Sequence, residues 1–240
     1  MLELVAIISI VLVAAFLQGL TGFGFGLIAL PLLGLFLNIK TCVPLMVLLA
    51  VLISLYLSIR LRDSIHLKSI FTLMLATLPG IPLGVYVLKH VSTQTLSIGL
   101  GILMILFTSH QLLYKPKSRQ LKPIFTVLAG LLSGFLGGSI GAGGPPVIIY
   151  TALQPWSKDQ VKATLACYFA ISGLIIIASH AISGMITHEV LRLYSMSLPA
   201  LVAGIYLGTL AYKHISDHGY RKLAFILVFL LGLMMIFKNI

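Results

Sequence analysis

Apolar residues run along this chain in stretches interrupted by short polar or charged clusters. The runs span approximately Leu4–Leu37, Cys42–Ile59, Leu67–Leu88, Leu96–Leu113, Ile124–Leu153, Val161–Ile182, Val190–Tyr212 and Leu223–Phe237. Most have the roughly 20 residues needed to cross a bilayer as a helix. The first and fifth are too long for one crossing, since a helix rises about 1.5 Å per residue across a core of roughly 30 Å. Each carries a glycine-rich break near its middle. The pattern predicts an all-α, polytopic helical membrane protein, in which each broken run is either one crossing plus a re-entrant element or a hairpin of two short helices.

The two breaks resemble each other. The first reads Gln18-Gly19-Leu20-Thr21-Gly22-Phe23-Gly24-Phe25-Gly26, with Pro31 following. The second reads Ser133-Gly134-Phe135-Leu136-Gly137-Gly138-Ser139-Ile140-Gly141-Ala142-Gly143-Gly144-Pro145-Pro146. At one constant offset Gly19 falls on Gly134, Gly22 on Gly137, Gly26 on Gly141 and Pro31 on Pro146. Further on, Gly80-Ile81-Pro82-Leu83-Gly84 matches Gly204-Ile205-Tyr206-Leu207-Gly208, and Lys89-His90 matches Lys213-His214. The expected organisation is a first transmembrane repeat over 1–113, a cytoplasmic linker at 114–122 and a second repeat over 123–240.

Charge decides how the repeats are related. Arg60, Arg62 and Lys68 flank one loop and Lys115, Lys117, Arg119 and Lys122 fill the linker, while the loop between holds only Lys89. In the second half Lys158 and Lys162 mark one loop, and Lys213, Arg221 and Lys222 another. All basic loops fall on the cytoplasmic side only if each broken run returns to the side it entered, which gives inverted repeats with a helix hairpin at each break. Eight crossings by hydropathy then become ten helices.

The chain has 240 residues, 59% of them hydrophobic and 9% charged, with a mean hydropathy of +1.12 and a net charge of +11. A soluble domain lacks the means to cover so apolar a surface. The positive charges lie between apolar runs rather than on one patch, which excludes nucleic acid as a partner and leaves the lipid bilayer. Glu3 without a preceding Lys or Arg lacks the basic start of a signal peptide, so the first segment is expected to be retained. Cys42 and Cys167 show no metal spacing and read as small buried residues. No cofactor or metal is expected.

Two equivalent helix breaks in the halves of a membrane protein point to a transport site. A loop followed by a helix start presents unpaired N–H groups and the positive end of the helix dipole, an arrangement that attracts anions. The candidate substrate-binding residues are Gln18, Thr21, Gly22, Gly24 and Gly26 from the first break, and Ser133, Gly137, Gly138, Ser139, Gly141, Gly143 and Gly144 from the second. Pro31 and Pro145-Pro146 suit helix starts. All five acidic residues (Glu3, Asp63, Asp159, Glu189 and Asp217) fall near segment ends. That argues against a cation site on carboxylates and for a small anionic substrate. Valine at Gly141 or Gly143 is expected to abolish transport in a folded protein. His110 and His180 read as interfacial or satisfied histidines, Trp156 as an interface anchor, and Lys89-His90 and Lys213-His214 as snorkelling pairs. Tyr150, Thr151, Thr164, Tyr168 and Ser172 are polar groups available to line a path. Two competing readings are an anion channel and an intramembrane serine protease using Ser139 and His180.

These residues resemble the TauE/SafE family, the sulfite exporter or TSUP group. The likeness rests on Gln18-Gly19-Leu20-Thr21-Gly22-Phe23-Gly24, on Gly130-x-x-Ser133-Gly134-x-x-Gly137-Gly138-x-x-Gly141-x-Gly143-Gly144-Pro145, and on the duplication. It covers almost the whole chain. The resemblance implies a multi-pass transporter of the plasma (inner) membrane, not an enzyme, that moves sulfite, sulfoacetate or related organosulfonates. It leaves direction, coupling and a possible homo-oligomer open.

Overall fold

The structure is a computed structural model that describes residues 2–21, 24–114, 121–211 and 217–239. It is built of α-helices: α1 (Leu2–Thr21), α2 (Phe25–Leu33), α3 (Ile39–Arg60), α4 (Leu67–His90), α5 (Thr93–Leu113), α6 (Pro123–Ile140), α7 (Gly144–Ala152), α8 (Lys158–Ile182), α9 (His188–Ala211) and α10 (Asp217–Asn239). Helices satisfy their backbone groups internally, which hydrocarbon demands. Their starts are written locally. Asn38 accepts from Lys40 N at 2.9 Å, Ser92 from Thr95 N at 3.1 Å, and Ser157 forms a capping box with Gln160. Among the described residues seven helices are long and apolar enough to cross a bilayer.

The two remaining helices of interest are short. α2 and α7 have nine residues each, roughly 14 Å of helix and under half of the hydrocarbon core. Each broken run is thus a long helix followed by a half-length one, so neither run holds two equal short crossings. Pro31 lies inside α2 rather than at its start, while Pro145 is the second residue of α7.

Hydrogen bonds between helix ends define two faces. On the first, Lys40 Nζ donates to Lys89 O (3.0 Å), Lys89 Nζ to Ser183 O (3.2 Å), Thr93 to Asn38 Oδ1 (3.2 Å) and Lys238 Nζ to Gly34 O (3.3 Å). The second gathers the end of α3, the start of α4 and the start of α8. There His66 N donates to Thr164 (3.1 Å), and the His66 ring stacks on Trp156 at 4.9 Å. Arg60, Arg62, Lys68 and Lys158 lie at this second face. α2 therefore leads from the break back to the first face, and α7 leads to the second.

Glycines set the closest packing, and the closest pairs join the two halves. Gly80 and Gly84 of α4 lie against the α6 backbone at Leu131 and Phe135. Gly204 and Gly208 of α9 lie against α1 at Leu12 and Phe16. A β-carbon on Gly138 would meet Ile81 O at 2.7 Å and Val85 N at 3.1 Å; one on Gly19 would meet Ile205 O at 2.8 Å and Thr209 N at 3.2 Å. These matched environments pair Gly19 with Gly138, Phe16 with Phe135 and Leu12 with Leu131. The starts of α2 and α7, and the caps Asn38 and Ser157, obey the same 119-residue shift. The sequence offset that set Gly19 on Gly134 is one helical turn short of it. The glycine spacing of about four residues repeats within each break, so the eye matches the wrong turn.

Two lobes result. α9 packs with α1 and α3, and α4 packs with α6 and α8, so each half lends its fourth helix to the other. α3 crosses α8 between the lobes, and α5 pairs with α10.

Valine at Gly84 should separate α4 from α6, leaving protein that aggregates on size-exclusion chromatography in detergent. Gly99 of α5 has open space around its β-carbon position, so Gly99→Ala should be neutral or stabilising by up to about 1 kcal/mol in thermal melts.

Candidate functional site

The two breaks meet. A β-carbon on Gly26 would lie 3.0 Å from Gly141 O. Beside this contact is a cavity of about 100 Å³ between the lobes, well above the roughly 10–15 Å³ that admits one water. The first break contributes Gln18 and Gly24–Leu27. The second contributes Ser133, Gly137 and Gly141–Gly144. The walls come from α3 (Met46, Val47, Ala50, Val51, Ser54) and α8 (Phe169, Ser172, Gly173, Ile176).

Of the candidate residues, Gln18, Gly24, Gly26, Ser133, Gly137, Gly141, Gly143 and Gly144 line this cavity. Gly138 does not; it faces α4. Ser139 turns back to donate to Phe135 O at 2.7 Å within α6. Gly22 and the Thr21 side chain lie outside the described residues, as does the Lys213-His214 pair. Gly24 (φ 101°) and Gly141 (φ 64°) adopt left-handed backbone angles, which explains glycine at these turns. A β-carbon on Gly143 would meet Ser133 O at 2.6 Å. Valine there would disturb the α6 backbone itself, so it is not the clean lesion the sequence suggested.

The polar residues assigned to a path mostly have other partners. Tyr168 OH bonds the Thr77 hydroxyl at 2.8 Å, Thr126 donates to Tyr150 OH at 3.1 Å, Thr151 bonds Ile148 O, and Thr164 takes the His66 amide. Only Ser172 reaches the cavity, and it donates to Tyr168 O at 2.8 Å. Ser133 likewise donates to Gly143 O. The α3 wall and Ser54 were missed because a helix with apolar residues all round hides which face looks inward.

The ends of α1 and α6 show how the breaks are held. The last carbonyls of a helix lack intrahelical donors. Lys162, 6% exposed, donates from Nζ to Gly19 O at 3.1 Å. His180, fully buried, bonds Gly138 O through Nε2 at 3.1 Å. Gly19 and Gly138 are equivalent positions, and both partners come from α8. A lysine assigned to a loop by sequence is thus a helix cap inside the fold. His180 and Ser139 face separate backbone carbonyls and do not bond each other, so the pair needed for an acyl-enzyme mechanism is not assembled. Among the described residues no group of His, Cys, Asp and Glu is placed to hold a metal.

Two interrupted helices meeting at a cavity between lobes, in a protein of long apolar helices, define a polytopic membrane protein. Comparison with known proteins is specific: the chain belongs to the sulfite exporter TauE/SafE family, whose family model matches residues 7–235. This is a family of transporters and not of enzymes. A curated relative, the probable sulfite/organosulfonate exporter TauE of Cupriavidus necator, is 24% identical over 236 residues, covering 94% of this chain and 90% of the relative. No solved structure matches the chain.

Lys162→Met should remove the side-chain bond to Gly19 O at the buried end of α1. A loss of about 1–3 kcal/mol is expected, read as a lower melting midpoint of the purified protein in detergent.

Proposed function

We propose that this protein carries small sulfur-containing anions, such as sulfite, sulfoacetate or related organosulfonates, across the plasma membrane by alternating access. The observation that carries the reading is the convergence of two half-length helices, both N-terminus first, on one cavity. Their first-turn N–H groups and dipoles favour negative charge, and among the described residues no carboxylate lines the cavity. The family and the name of the Cupriavidus necator relative support the substrate class. The substrate-binding residues are those of the two breaks that line the cavity, Gln18, Gly24, Gly26, Ser133, Gly137, Gly141, Gly143 and Gly144.

The two halves, 1–113 and 123–240, form inverted repeats. α1 starts at the first face and α6 at the second, each followed by a short helix returning to the side of entry. The basic second face is cytoplasmic, as is the linker 114–122. The rocking bodies are not the sequence halves but the two lobes, α1–α3 with α9 and α6–α8 with α4. They hinge where α3 crosses α8, beside the cavity.

The test is uptake of labelled sulfite, sulfoacetate, sulfate and a carboxylate into proteoliposomes, with and without a pH gradient. Saturable uptake of sulfite or a sulfonate is the expected outcome. Flux that never saturates would replace the carrier with a channel, and no flux of any anion through folded protein would sink the reading. Gly144→Val adds bulk beside the mobile ends of Ile148 and Phe169, 3.2 and 3.8 Å from its β-carbon position. It should keep the melting profile of the wild type while cutting sulfite uptake at least tenfold, an effect of about 1.4 kcal/mol on the transport step.

A further inference from the structure

The repeat shift shows that the two halves do not furnish the cavity equally. The first-turn residues of α2 are Phe25, Gly26 and Leu27, positions whose N–H groups lack intrahelical acceptors. Their equivalents in α7 are Gly144, Pro145 and Pro146. Proline has no N–H, so two of three donors are deleted there. Gln18 lines the cavity and is 4% exposed; its equivalent, Gly137, brings no side chain. Ser54 lines the cavity; its equivalent is Gly173, whose β-carbon position is filled by Val51. The second half does supply Ser133 and Ser172, but both hydroxyl protons go to backbone carbonyls.

Ser54 is the second, independent sign. It is 1% exposed, and its Oγ has no hydrogen-bond partner among the described residues. A buried hydroxyl left unpaired is costly, and one that also lines a cavity is placed to bond a ligand or water there. Its position agrees with the helix it would complement. α2 leads toward the first face, so its free N–H groups point toward the second, basic face. Gln18 and Ser54 lie on that same side. Gly19, next to Gln18, is bonded by Lys162 near the start of α8, and Ser54 lies six residues, roughly 9 Å of helix, before Arg60 at the end of α3.

We propose that the protein binds one anion per chain, off the centre of the repeat and toward the basic face, held by the Ser54 hydroxyl, Gln18 and the first-turn N–H groups of α2. The equivalent place beside α7 holds none. The ligand is an oxyanion head group, whose several acceptor oxygens match converging N–H and O–H donors. This rests on the anion-carrier reading and adds to it the count of sites, their side of the cavity and a ligating residue on α3.

The experiment is equilibrium binding of labelled sulfite and sulfoacetate to the purified full-length protein. One anion per chain is expected for the wild type. Ser54→Ala should weaken binding about tenfold or more. It removes an oxygen that bonds nothing, so its melting midpoint without anion should be unchanged or higher while stabilisation by added anion falls. Ser197 of α9 is the control, a fully buried hydroxyl also without a partner and away from the cavity; Ser197→Ala should leave affinity unchanged. Two anions per chain, or wild-type affinity in Ser54→Ala, would overturn the off-centre site. A wild type that binds neither anion would instead overturn the carrier reading above, so the two failures are distinct.

Discussion

Every backbone N–H and C=O at a helix break inside a membrane must find a partner, because hydrocarbon offers none. This constraint organises the centre of the protein. A break creates two kinds of end, carbonyls where the first helix stops and N–H groups where the next begins. The carbonyl ends are closed from within: α8 reaches one with Lys162 and the other with His180. Among the described residues no side chain caps the N–H ends, which open onto the cavity. One transmembrane helix thereby braces both breaks and lines the space between them. The positive ends face the site and the negative ends are neutralised away from it, the polarity an anion carrier needs.

The breaks can sit at membrane depth only if the long helices around them stay together. Helices in lipid gain little from hydrophobic burial, so close packing of small residues takes over. Gly80 and Gly84 bring α4 onto α6, and Gly204 and Gly208 bring α9 onto α1. Both contacts join the halves. The exchange ties each break to a helix from the other half, so packing does not follow chain order. α3 and α8, which cross between the lobes, carry the residues that line the cavity walls.

The 119-residue correspondence between the helices does not extend to the residues that line the cavity. Pro145 and Pro146 where α2 has Gly26 and Leu27, Gly137 opposite Gln18, and Gly173 opposite Ser54 all act in the same direction. Each removes a donor from the α7 side. The caps diverge too, since the position equivalent to Lys162 is Val43, which packs against Gly141.

By itself the sequence determined that the chain lies in a membrane, that it is helical, where its helices fall and that two glycine breaks mark its centre. Those features follow from local rules: apolar run length, capping residues and the glycine needed at left-handed turns such as Gly24 and Gly141. It also pointed to most of the break residues that line the cavity, Gln18, Gly26 and Gly144 among them, because a break in a membrane helix is visible in composition. Only the tertiary structure decided the register of the repeat, the exchange of α4 and α9 between halves, the placing of Gly138 and Ser139 outside the cavity, the Lys162 cap and the position of Ser54 at the cavity wall. The reason is that these depend on which face of an all-apolar helix turns toward which neighbour. In a membrane protein the outer face is as apolar as the inner, so hydrophobic pattern carries no record of it; backbone contacts between helices distant in sequence supply that information.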